Sequence, residues 1–261
     1  MAWPWLAVIP LVMLAYYGLY IARFRPDWLG GNLPLVSWLS ALMIFATGFM
    51  LSTNSTLMLR PTVWPAMYAA SGAGLHMNMG DHTLIQRYLH FVVAAFAVAG
   101  LGIAVLGHAW RKDDPEWSPL AVRYGARWFA IATGLELLVG IGFLFSLPAE
   151  IRRALTGGSQ LDTIVLIAGL LPALLAQFVT RRMPWIAALL TVVTVAAMAF
   201  TRHRVREMML APYINPSKMP VNPQWALFAA FAVILVAGIG VVVWMVLLFA
   251  RSGRTLKGKA A

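Results

Sequence analysis

Residues 84–107 read LIQRYLHFVVAAFAVAGLGIAVLG, an almost continuous apolar run with one arginine and one histidine near its beginning. About 20 consecutive apolar residues in an α-helix cross the roughly 30 Å hydrocarbon core of a bilayer, so this stretch predicts a membrane-spanning helix. An imidazole inside such a helix needs a hydrogen-bond partner or a metal, because hydrocarbon offers neither. His90 is therefore the first candidate functional residue.

The composition extends the membrane interpretation to the whole chain. Hydrophobic residues make up 61% of its 261 residues and charged residues only 11%, and no soluble domain of this length needs so apolar a composition. Six further runs are long enough to span a bilayer, at about 3–22, 35–58, 126–147, 161–180, 184–201 and 224–250. We predict an all-α, polytopic membrane protein whose seven transmembrane helices form one bundle domain over residues 1–261.

The basic residues predict the orientation of the chain. With the N-terminus outside, twelve of the 20 lysines and arginines lie on the cytoplasmic side and eight outside, as the positive-inside rule favours. We expect a multi-pass protein of the cell inner membrane, with the N-terminus outside and the C-terminus in the cytoplasm. Topology and anionic lipid account for the cytoplasmic share of the net charge of +11, so we expect no nucleic-acid partner.

One face of the predicted third helix suits a flat cofactor. At 100° per residue, six residues fall near one line: His90, Ala94, Ala97, Leu101, Ala104 and His108. A histidine above small residues is what a haem lying along a helix needs. The same small residues also let a second helix approach closely, with His90 bonded to a neighbouring carbonyl. Because the chain has no cysteine, any haem is b-type and held by side chains.

A second haem ligand has candidates on the predicted outer side. Two connections there are longer than helix hairpins need, and such connections often carry function: residues 59–83 and 202–223. We predict His90 and His203 as the ligands of the haem iron, with Met198 and His82 as alternatives to His203. The competing interpretation of His203 is a surface histidine among arginines.

Glu136 is the only carboxylate deep inside a predicted span. Burying it in ionised form is costly, so it should face the interior of the bundle. In a quinol-oxidising protein it would accept or relay protons, and we therefore predict it as the catalytic residue. A hydrogen bond across two helices is the structural alternative.

Seven arginines on the predicted outer side depart from the positive-inside tendency: Arg60, Arg87, Arg152, Arg153, Arg202, Arg204 and Arg206. A planar guanidinium binds carboxylates in bidentate fashion. We therefore predict that Arg87, Arg202 and Arg206 hold the propionates of the cofactor. Pairing with lipid phosphates and docking of an acidic partner are the alternatives.

The segment 76–82 reads HMNMGDH and permits a copper hypothesis. Thioether and imidazole ligands suit Cu(I), and the segment offers four of them: His76, Met77, Met79 and His82. The spacing matches no strict metal motif, so copper handling is an alternative to haem binding.

Three segments resemble subunit I of the cytochrome bd quinol oxidases. SWLSAL at 37–42, running to NSTLMLRP at 54–61, is similar to one helix of that family, and YLHFVVAAFAVAG at 88–100 resembles the helix that follows it. AVRYGAR at 121–127 then fits the start of the next helix. The resemblance covers about residues 35–147 and implies that His90 ligates a low-spin haem b.

The departures from that family limit the function. The first predicted helix contains no histidine, so the family's oxygen-reducing haem has no matching ligand, and we do not predict oxygen reduction. We expect a b-haem electron-transfer subunit between the quinone pool and a periplasmic c-type cytochrome, a component of a quinol:cytochrome c oxidoreductase. A cofactor-free anchor subunit of a redox complex and a copper-handling protein are the alternatives.

Overall fold

The computed structural model describes residues 2–214, 218–220 and 222–257, and no strand occurs among them. Seven long helices follow one another: α1 (Ala2–Phe24), α2 (Leu33–Leu57), α3 (Leu84–Ala109), α4 (Trp117–Ser146), α5 (Gln160–Val179), α6 (Pro184–Leu210) and α7 (Trp225–Lys257). Short helical segments lie between them at Pro26–Leu29, Gly30–Asn32, Pro61–Val63, Trp64–Ala70, Ala149–Arg153 and Ala154–Gly158. All seven long helices provide a stretch long and apolar enough to cross a membrane. The prediction of an all-α, multi-pass membrane protein is confirmed.

The chain divides into two compact units, Met1–Asn215 and Pro216–Ala261. The first unit holds α1 to α6, and the second holds α7. A single bundle over the whole chain and an outer N-terminus stay predictions.

Within the first unit, consecutive helices pack in pairs: α1 with α2, α3 with α4, and α5 with α6. The closest pairing is that of α3 with α4. Helix α3 also packs against α2 and α6, so it is the helix around which the unit is organised. Its side chains therefore meet those of three other helices.

Small residues bring α3 and α4 together. A β-carbon added at Gly100 would lie 2.7 Å from the backbone nitrogen of Phe129, and one at Gly107 would lie 2.8 Å from Cβ of Ala121. Three residues of the predicted cofactor face are buried in the first unit, namely Ala97, Leu101 and Ala104. At Ala104 the neighbour is α4 itself, because a β-carbon on Gly125 would lie 2.5 Å from the Ala104 backbone nitrogen. Close helix packing, the alternative interpretation of these small residues, therefore accounts for this part of the face.

Two helix boundaries differ from the prediction. Helix α4 begins at Trp117 rather than near 126, and Asp114 Oδ1 accepts a hydrogen bond from the Trp117 backbone N–H at this start (3.0 Å). Helix α6 continues to Leu210 rather than ending near 201. The predicted connection 202–223 therefore begins with two and a half helical turns, and its residues 215–217 and 221 lie outside the described residues. A hydropathy window misses such extensions, since it stops where charged residues begin.

The extension of α6 is held by packing. Val205 is 4% exposed and belongs to an apolar cluster with three buried residues of the preceding segments: Leu147, Ile151 and Leu155. This cluster fixes the end of α6 against the segment that follows α4. It also keeps the charged side chains of the extension on one end of the unit.

That end is called the arginine end and is defined by seven residues: Arg60, Arg87, Arg152, Arg153, Arg202, Arg204 and Arg206. Here α2, α4 and α6 finish, while α3 and α5 begin. Contacts across it join distant parts of the sequence, including Arg60 with Asp81 and Arg204 with Asp162.

Candidate functional site

The structure brings together His90 of α3 and Glu136 of α4, which the sequence singled out separately. His90 Nδ1 and Glu136 Oε1 are in direct contact. The side chain of His90 is 38% exposed and that of Glu136 18% exposed. The contact joins the predicted catalytic residue to the predicted metal ligand.

The packing of small residues explains why these two side chains meet. Gly100 of α3 lies against Gly125 of α4, where neither position has room for a β-carbon. His90 lies ten residues before Gly100, and Glu136 lies eleven residues after Gly125. In an antiparallel pair these offsets correspond to the same level, about 15 Å along the helices at 1.5 Å per residue. The glycine contact therefore sets the register that aligns the imidazole with the carboxylate.

Several polar atoms in this site are buried and make no regular hydrogen bond within the described residues. They are Gln86 Oε1, His90 Nδ1 and both carboxylate oxygens of Glu136. The His90–Glu136 contact is thus a close polar contact without regular hydrogen-bond geometry. Gln86 lies one turn before His90 on the same face of α3. Buried polar atoms are nearly always satisfied in folded proteins, so a group of exceptions marks a place for a proton, a water molecule or a ligand. Sequence analysis did not identify Gln86, although its spacing of four residues from His90 was a usable signal.

Two predicted arginines flank this pair. Arg87 Cζ lies 4.8 Å from the centroid of the Phe143 ring on α4, and Arg87 Nε donates to Thr83 Oγ1 (3.1 Å). Arg202 of α6 has its Cζ 6.0 Å from the centroid of the Phe91 ring, next to His90 in the chain. Residues from α3, α4 and α6 therefore converge at one end of the pair.

His203 and Arg206 have surroundings that differ from those of Arg87 and Arg202. His203 Nε2 lies 3.4 Å from Glu207 Oε1, and the His203 side chain is 58% exposed. Its ring also packs near that of Phe200. Arg206 is exposed. The described residues include no hydrogen bond, ion pair or ring contact between His203 and His90, so the role of His203 as a second ligand stays a prediction.

The two alternative second ligands, Met198 and His82, also have surroundings that differ from those of His90. Met198 packs against α5, where a β-carbon added at Gly169 would lie 2.7 Å from Met198 Cε. His82 is exposed in the connection before α3. Neither contacts His90 through a hydrogen bond or an ion pair in the described part of the chain.

Arg204 belongs to a compensated ionic cluster at the arginine end. Its Nε lies 2.7 Å from Asp162 Oδ1, and its Nη1 lies 2.7 Å from Glu207 Oε2. Asp162 lies in the first turn of α5 and is 3% exposed. Sequence analysis grouped Arg204 with the other outer arginines, and its pairing with Asp162, 42 residues away, left no local signal. The positive charge of Arg204 is therefore paired with carboxylates inside the protein.

Arg60 is also paired within the fold. Its Nη1 lies 3.9 Å from Asp81 Oδ2 and within 3.4 Å of Asn78 Oδ1. Asp81 Oδ1 accepts hydrogen bonds from the backbone N–H and the hydroxyl of Thr83, which precedes α3. This polar cluster ties the end of α2 to the beginning of α3.

The structure describes the surroundings of three residues of the copper hypothesis, His76, Met79 and His82. His76 lines a cavity of about 330 Å³ together with Trp64, Tyr68 and Ser71. Met79 is 62% exposed, and His82 is also exposed. Within the described residues, no group of three or more His, Cys, Asp or Glu side chains is arranged to hold a metal ion.

No family model, curated protein or solved structure matches this chain. The resemblance to subunit I of the cytochrome bd quinol oxidases therefore stays a prediction from the quoted segments.

Proposed function

We propose that this protein is a membrane electron-transfer subunit that binds haem b through His90. In this proposal it exchanges electrons between the quinone pool and a periplasmic c-type cytochrome. The observation that carries the proposal is the contact of His90 Nδ1 with Glu136 Oε1. Metal-ligating histidines usually direct their second ring nitrogen to a carboxylate or carbonyl group, which fixes the ring and its tautomer.

The imidazole of His90 fits the role of one ligand that would hold a haem iron. With Nδ1 facing Glu136, Nε2 is the nitrogen left for iron, and the imidazole is partly exposed rather than sealed. When bound, haem b supplies a reversible one-electron couple. His203 is the proposed second ligand, and its Nε2 would have to leave Glu207 to serve in that role.

Glu136 has two proposed roles in this chain. It orients the imidazole of His90, and it accepts a proton that quinol oxidation releases. Its Oε1 contacts His90 Nδ1, while its Oε2 is buried and has no hydrogen-bond partner within the described residues, so Oε2 has capacity for a proton. A carboxylate that only held two helices together would be expected to have its oxygens satisfied.

A cofactor-free membrane anchor is the second candidate function. The packing of Ala97, Leu101 and Ala104 inside the first unit favours it, because small residues used for helix contact need no cofactor. In that case His90 and Glu136 would form an interhelical polar contact.

Optical spectroscopy of the purified chain separates these functions. The protein would be produced in a host supplied with haem precursor, and its reduced-minus-oxidised spectrum, haem content and copper content would be measured on one sample. The proposal expects a b-type α band, haem close to equimolar with protein, and haem reduction by quinol. A folded protein without haem would favour the anchor, and copper in place of haem would favour the copper hypothesis.

We also propose that the protein lies in the inner membrane with the arginine end outward. The absence of cysteine from the sequence makes single-cysteine labelling possible. In intact cells, an impermeant maleimide should label Ser71→Cys, near the arginine end, and should label Lys112→Cys only after permeabilisation. The reverse pattern would invert the topology.

A further inference from the structure

The arginines of the arginine end fall into two groups. Arg60 lies near Asp81, and Arg204 pairs with Asp162 and Glu207. Arg87 and Arg202 have no carboxylate oxygen within 4.0 Å among the described residues. The protein therefore pairs some of these charges internally and leaves others, including Arg87 and Arg202, without an ion pair in the described residues.

Both guanidinium groups are held by aromatic rings. Arg87 lies over Phe143 at 4.8 Å, and Arg202 lies over Phe91 at 6.0 Å, measured from Cζ to the ring centroid. A guanidinium over an aromatic face is positioned by the ring while its N–H groups stay able to donate. Arg87 uses Nε on Thr83 Oγ1 and directs Nη2 toward the sulfur of Met209 (3.8 Å), which leaves further N–H groups for a ligand.

The two charges are also close enough to act on each other. At Arg87, Asp81 contributes a favourable electrostatic interaction beyond ion-pair distance, and Arg202 contributes a smaller unfavourable one. An anion bound by both side chains would replace this repulsion with two favourable pairings. Arginine is well suited to that role because its fork of donors matches the oxygens of a phosphate.

The surroundings favour a lipid headgroup over the other anions. Arg87 lies three residues inside α3, and Phe91 is 47% exposed on an apolar helix that is long enough to cross a membrane. Arg87 is half-buried, so a slender headgroup reaches it more easily than a carboxylate on a folded partner protein. We propose that Arg87 and Arg202 bind the phosphate of an anionic phospholipid. This site requires no haem and does not depend on the proposed function.

The test measures lipid retention by haem-free protein. The wild-type chain, Arg87→Gln, Arg202→Gln and the double variant would be reconstituted in vesicles of phosphatidylglycerol and phosphatidylcholine, extracted into mild detergent and examined by native mass spectrometry. Arg153→Gln, an exposed arginine of the same end, is the matched control. Each single variant removes charge-assisted hydrogen bonds to the phosphate, so each should lose roughly 10- to 100-fold in phosphatidylglycerol retention.

Wild-type protein and Arg153→Gln should retain phosphatidylglycerol in preference to phosphatidylcholine, and the double variant should retain neither preferentially. Arg202 is exposed, so Arg202→Gln keeps the test decisive if Arg87→Gln does not fold. Equal retention by the double variant and wild type would overturn the proposal. Displacement of the lipid by inorganic phosphate, or retention only when haem is supplied, would also overturn the lipid assignment.

Discussion

The Arg204 cluster and the His90–Glu136 pair are both polar contacts between helices of the first unit, but they differ in how completely their hydrogen-bonding groups are satisfied. Asp162 accepts hydrogen bonds from two nitrogens of Arg204, at 2.7 and 3.5 Å, and Glu207 accepts one from the third nitrogen at 2.7 Å. In the other pair, His90 Nδ1 and both oxygens of Glu136 lack regular hydrogen bonds within the described residues. The carboxylates of the Arg204 cluster are thus hydrogen-bonded to arginine, whereas the His90–Glu136 pair has unused hydrogen-bonding capacity.

This difference separates a structural role from a functional one. A buried ion pair with complete hydrogen bonding specifies how two elements dock, and it has little capacity to exchange a proton or accept a ligand. An incompletely satisfied pair costs stability, so its presence in a fold needs another reason. Variants at the two regions should therefore have opposite consequences.

The largest effect on stability is expected at the Arg204 cluster. Arg204→Met leaves the Asp162 carboxylate buried at the start of α5 without its cationic partner. Removing one member of a buried ion pair typically costs about 3–5 kcal/mol, and we expect a loss near the lower end because the Arg204 side chain is 30% exposed. Unfolding in mixed micelles measures it, with Arg153→Met as the control. A loss no greater than that of the control would remove the distinction between the two regions.

The next effect concerns the contact that aligns the pair. Gly125→Ala places a β-carbon against the Gly100 carbonyl and the Ala104 backbone nitrogen, and overpacking of this kind costs about 1–3 kcal/mol. Gly134→Ala on the same helix is the matched control, since open space surrounds a β-carbon there. The same unfolding assay should show destabilisation for Gly125→Ala alone. Equal stabilities would mean that α3 and α4 do not meet through these glycines.

The smallest stability change is expected at Glu136. Glu136→Gln keeps the size of the side chain and replaces an incompletely satisfied carboxylate, so the free energy of unfolding should change by about 1 kcal/mol or less. Haem content should persist, while quinol-driven haem reduction slows and its pH dependence changes. Stopped-flow reduction across a pH series measures this. A destabilised protein with a wild-type pH profile would assign Glu136 to structure.

The sequence predicted the helices well because their signal is local. Apolar runs of sufficient length located all seven long helices, and errors arose where helices continue past the apolar run, as at Trp117 in α4 and Leu210 in α6. His90 and Glu136 were each conspicuous as polar groups in apolar spans. Their contact was not predictable, because it depends on the register and rotation of two helices, which Gly100 and Gly125 set together.

The arginines show the same limit. The pairing of Arg204 with Glu207 has the three-residue spacing of neighbours on a helix, so it was visible in the sequence. The pairing of Arg204 with Asp162 depends on the docking of α5 against α6, so it was not visible in the sequence. Which residues of the arginine end are paired with carboxylates inside the protein is therefore decided by tertiary structure.

The most direct test of the central claim is the haem content of His90→Ala. Membranes with the wild-type chain, His90→Ala and His108→Ala would be compared by pyridine haemochrome assay at matched protein levels. His108 is the control because it lies on the same helix and contacts Arg111 at the opposite end (2.5 Å). We predict that His90→Ala folds to wild-type yield and loses haem b, whereas His108→Ala keeps it. Unchanged haem content in His90→Ala would contradict the account.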